Sequence, residues 1–68
     1  MTDKNEKMAY FKHDDNGFDI YLFPFDTFSK EEAYAHAHTL KETEYPKSPI
    51  IVHNYTDAVV VRFDLQFN

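Results

Sequence analysis

Hydrophobic and polar positions change period twice along the chain. Two short β-prone runs, 8–13 and 18–23, flank Asp14-Asp15-Asn16-Gly17. Such runs around Asn-Gly predict a β-hairpin. Pro24 has no N–H to give a ladder, so the second strand is expected to stop near Phe23 or to lie at an edge there. After Thr27 the spacing becomes helical. Ser29 as N-cap and Glu32 three residues on fit a capping box. The helix is expected to run to about Thr43, burying a thin stripe of Ala33, His36, Ala37 and Leu40. Tyr45, Pro46 and Pro49 mark a loop. Alternation then returns in a third strand at 50–54, a turn at Tyr55-Thr56-Asp57, and a fourth strand at 58–67.

This order is ββαββ. It predicts a single small α+β domain at 8–68: a four-stranded antiparallel or mixed sheet with one helix packed on one face. Residues 1–7 are expected to be a flexible N-terminus. One helix covers one face, so the other face should turn polar. Strand 4 obeys, with Val59, Val61, Phe63, Leu65 and Phe67 on one side and Val60, Arg62, Asp64 and Gln66 on the other. Strand 2 does not. It carries Phe18, Ile20 and Leu22 on one side, and Asp19, Tyr21 and Phe23 on the other.

The hairpin register bears on this. A two-residue Asn16-Gly17 turn would set Asp14 opposite Asp19, an unfavourable pair. A type I turn with a glycine bulge instead pairs Asp14 with Phe18, His13 with Asp19, Phe11 with Tyr21 and Tyr10 with Leu22. That register removes the like-charge pair and puts Asp and Gly where the turn prefers them, so it is the one expected. Either way, the Tyr21/Phe23 side gains a further aromatic, Tyr10 or Phe11.

Composition narrows the chemistry. The 68 residues, starting at Met1, are expected to form a complete small gene product of one domain. A hydrophobic content of 43% is enough for a core, and the 18% aromatic share is high for so short a chain. With no Cys, disulfides, thiolate metal sites and a cysteine nucleophile are excluded. No apolar run approaches the length of a membrane span, and the polar N-terminus resembles no signal peptide, so a cytoplasmic location is expected. The net charge of −5 is spread over both halves without a basic patch, which argues against nucleic acid.

Candidate reactive groups have ordinary explanations. His36 and His38 are two apart on a helix and point to different sides, so they cannot chelate one ion. His36 would need His13 or His53 from the sheet to build a metal site, and no metal is expected. Asp14 and Asp15 suit a turn, Glu31 and Glu32 suit a first helical turn, and Asp64 is placed to pair with Arg62. One Gly rules out a glycine-rich phosphate loop. No catalytic residues and no cofactor are expected, and the protein is expected not to be an enzyme.

What remains is the aromatic excess. Exposed aromatic patches on small proteins mark interaction sites, and Tyr, Phe and Arg are enriched at interfaces. The expected function is a non-catalytic protein-binding domain acting by surface occlusion. Its anchors would be Tyr10, Phe11, Tyr21, Phe23, Phe25 and Arg62. In size, acidity and lack of chemistry the chain resembles small inhibitors of phages and mobile elements, including anti-CRISPR proteins, by type and not by sequence. The alternative is a homodimer closed through the same aromatic face. Both expectations carry the corollary that serine at Tyr21 and Phe23 leaves the fold intact.

Overall fold

The computed structural model describes residues 8–67. The expected flexible N-terminus at 1–7 lies outside the described residues, as does the side chain of Phe67. Five elements follow in order: β1 (Tyr10–Asp14), β2 (Phe18–Pro24), α1 (Lys30–Thr43), β3 (Ile50–Asn54) and β4 (Ala58–Asp64), closed by a 3₁₀ turn at Leu65–Phe67. The strands form one antiparallel sheet in the order β1-β2-β4-β3, with α1 on one face. This is the expected ββαββ arrangement.

The β1–β2 register is the bulged one, with Asp14 opposite Phe18 and Tyr10 opposite Leu22. Gly17 donates its N–H to Asp14 O at 2.9 Å and sits at φ 95°, where a side chain would be strained. Asp14 also accepts the Asn16 N–H at 3.1 Å, the usual Asx-turn bond.

Pro24 is the last residue of β2, opposite Ala58. The next N–H, on Phe25, turns to Asp57 O. The position where Pro24 lacks a donor therefore faces the β1 side, and β1 pairs no further than Leu22.

At the other end the fourth strand is shorter than expected. It stops at Asp64, opposite Phe18, where β2 itself begins. With no ladder left, Leu65 N–H bonds to Gly17 O and Gln66 N–H to the Asp64 carboxylate, which curls the chain into the 3₁₀ turn.

The helix begins as expected. Ser29 Oγ accepts the Glu32 N–H at 3.1 Å and Glu32 accepts the Ser29 N–H at 2.8 Å. Ala33 and Ala37 are buried against the sheet and Leu40 is half-buried, while His36 is exposed at the margin of the stripe.

Beneath the helix lie Phe23, Phe28, Val59, Val61 and Phe63, all nearly inaccessible. Large rings fill the space that the small Ala face leaves. Phe23 meets Phe28 edge-on at 5.2 Å, and Tyr45, just past the helix, stacks on Phe63 at 4.2 Å.

Here the sequence expectation needs correcting. Tyr21 and Phe23 face the helix, because β2 pairs with β4 so that Tyr21 is opposite Val61 and Phe23 opposite Val59. Directly opposed residues of an antiparallel pair share a face. Phe23 is 1% exposed and belongs to the core. The apolar residues turned away from the helix are Phe18, Ile20 and Leu22. Serine at Phe23 therefore empties the core instead of stripping a surface.

Candidate functional site

Strand pairing sorts the side chains of the outer face, the one turned away from the helix, into three cross-strand rows. The first is Asp14, Phe18 and Asp64. The second is Lys12, Ile20, Arg62 and Ile51. The third is Tyr10, Leu22, Val60 and His53. Phe18, Ile20, Leu22 and Val60 are half-buried, and Tyr10 is 70% exposed. Among the described residues no helix or loop lies across them.

The Arg62 guanidinium sits 4.5 Å from the centre of the Phe18 ring, a cation–π contact that holds it flat on the sheet. Its Nε is buried with no hydrogen-bond partner among the described residues. The expected Arg62–Asp64 ion pair does not form among the described residues, whose ion pairs include His13–Asp19 and His38–Glu42.

The six anchors expected from sequence divide between the two faces. Tyr10 and Arg62 lie on the outer face. Phe11 lies on the helix side, 55% exposed on edge strand β1, with its ring 5.0 Å from that of Tyr21. Tyr21 and Phe25 are partly buried against the core, and Phe23 is within it. The six therefore do not form one patch. Phe18, Ile20, Leu22 and Val60 take the place of Tyr21 and Phe23 on the open face. The polar alternation of Arg62 and Asp64 had already marked the outer side of β4; the link from β4 to β2 was missing.

On the helix side a second feature stands out. Asp19 accepts hydrogen bonds from His13 Nδ1 and from the Tyr45 hydroxyl, each at 2.7 Å. Tyr45 in turn accepts from the Tyr21 hydroxyl at 2.8 Å. The bond to Asp19 raises the His13 pKa above its ordinary value, and burial raises that of Tyr45. This chain of donors ends on a carboxylate and uses both its oxygens. It joins the hairpin to the segment after the helix.

Beside these hydrogen bonds an open apolar groove of about 330 Å³ runs between β1 and α1, lined by Met8, Phe11, Tyr21, His36 and Leu40 among others. It is shallow, and the Tyr21 hydroxyl turns toward Tyr45.

The histidines stay apart. His36 packs against Phe28 and Phe23, and His53 stacks on Tyr55. Among the described residues no three His, Asp or Glu side chains converge on a point where a metal ion would sit, and no helix is long and apolar enough to cross a membrane. Comparison with protein-family models, curated proteins and solved structures finds no match to this chain.

Proposed function

We propose that the protein is a non-catalytic protein-binding domain that docks through the outer face of its sheet. The observation that carries this is the apolar layer of Phe18, Ile20, Leu22 and Val60 with no covering element among the described residues, edged by exposed Tyr10 and with Arg62 set into it between Ile20 and Ile51. An apolar face with an aromatic at its margin and an arginine set among its apolar residues is the composition of an interface core. Docked on a larger protein, a domain of this size acts by covering the surface it binds. That is the manner of action of small phage-type and mobile-element inhibitors, and it needs no cofactor.

The test replaces Ile20 by Ser on the open face. The I20S variant is expected to fold, as followed by circular dichroism, and to lose capture of protein partners by immobilised protein. Capture unchanged in a folded I20S would overturn the proposal.

A further inference from the structure

The charges on the open face are ordered by row. Asp14 and Asp64 flank Phe18 in the first row, while Lys12 and Arg62 flank Ile20 in the second. Acids and bases thus occupy the same two strands, β1 and β4, two residues apart. Few face-to-face arrangements of two copies suit such a pattern. A two-fold axis along the strands lays each row on its own copy, acid on acid and base on base. An axis across the strands and through the second row again sets Lys12 and Arg62 against themselves. An axis across the strands between the first and second rows brings every charge onto its opposite. Asp14 then faces Lys12 of the second copy, Asp64 faces Arg62, and Phe18 faces Ile20, each contact made twice by symmetry.

Resting on the reading of this face as a docking surface, we propose that in the absence of a larger partner its occupant is a second copy of this chain, in that crossed-row, two-fold register. The arrangement also sets the carboxylate of Asp64 of the second copy against the Arg62 guanidinium that lies over Phe18. Like-charge contact disfavours the registers that lay a charged row on itself, and a register that lays the second row on the third gains no ion pair. The face is small. Strands about 4.8 Å apart and side-chain rows about 6.8 Å apart give the two rows that meet a footprint of roughly 250 Å² per copy. Stable interfaces bury about 800 Å² per partner. The dimer is therefore weak, forming between roughly 10 and 500 μM, and it leaves the face open to a tighter partner.

The experiment is sedimentation equilibrium over that concentration range at low and high salt. The wild type is expected to dimerise and to weaken as salt rises, because its register depends on ion pairs. Lys12→Glu is exposed on an edge strand and is expected to fold normally. It places acid against Asp14 of the other copy twice and should raise the dissociation constant about tenfold. Asp14→Asn keeps the turn bond, since an amide oxygen also accepts, and should weaken the dimer less and flatten its salt dependence.

A wild type that stays monomeric at low salt overturns the inference, as does a dimer indifferent to Lys12→Glu. Capture of another protein lost in I20S would in either case leave the docking face standing. A monomer whose capture survives I20S would remove both.

Discussion

His13 and Asp19 lie directly opposite on the first hairpin and meet at 2.7 Å. The hydrogen bond to Asp19 lifts His13 above its ordinary 6.5; desolvation opposes it, and the charges of Asp19, Asp15 and Asp14 add to the rise. A group whose pKa is raised by folding stabilises the fold while it is protonated in both states. That contribution is complete below 6.5 and disappears as pH rises through the higher folded value. The urea midpoint is therefore expected to fall as pH rises from below 6.5 through the raised folded value. In His13→Gln that part of the fall should vanish; an unchanged pH profile would remove His13 as its source. Tyr45 belongs to the same cluster, yet nothing near it in the sequence announces a core residue. It follows the helix, precedes a proline and reads as loop. Its burial comes from stacking on Phe63 and from the Asp19 carboxylate across the sheet.

At the scale of elements, local chemistry settles most boundaries. Ser29 and Glu32 close the capping box and start α1 where expected, and Thr43 ends it. Substituting Ser29 by Ala leaves the Glu32 N–H without its cap and is expected to cost about 1 kcal/mol, measured by chemical denaturation. The hairpin register was legible because one alternative opposed two aspartates. The end of β4 was not legible. Leu65, Gln66 and Phe67 alternate as a strand would, but β2 offers no partner beyond Phe18. A strand needs a neighbour to continue, and its own sequence does not say how long that neighbour is.

For the whole molecule, the decisive quantity is parity. β2 is apolar on both sides, so either side could have faced the helix. Shifting the β2–β4 pairing by one residue would exchange Tyr21 and Phe23 for Phe18, Ile20 and Leu22 in the core. A direct check compares two serine variants. Phe23→Ser is expected to lose about 3–5 kcal/mol and to unfold a domain of this size. Ile20→Ser should stay folded with a much smaller loss. Equal losses would mean that both faces are covered.

The sequence by itself determined the elements, their order, the hairpin register and the helix cap. Each of these depends on residues close together in the chain. It also determined that the aromatic content exceeds what one helix can cover. Which aromatics are left over was decided only by the tertiary structure. The β2–β4 register joins segments separated by the whole helix, and a side-chain period of two makes a one-residue difference exchange core for surface. That register put Tyr21 and Phe23 under the helix, left Phe18, Ile20 and Leu22 on the open face, and set the acids and bases there in separate rows.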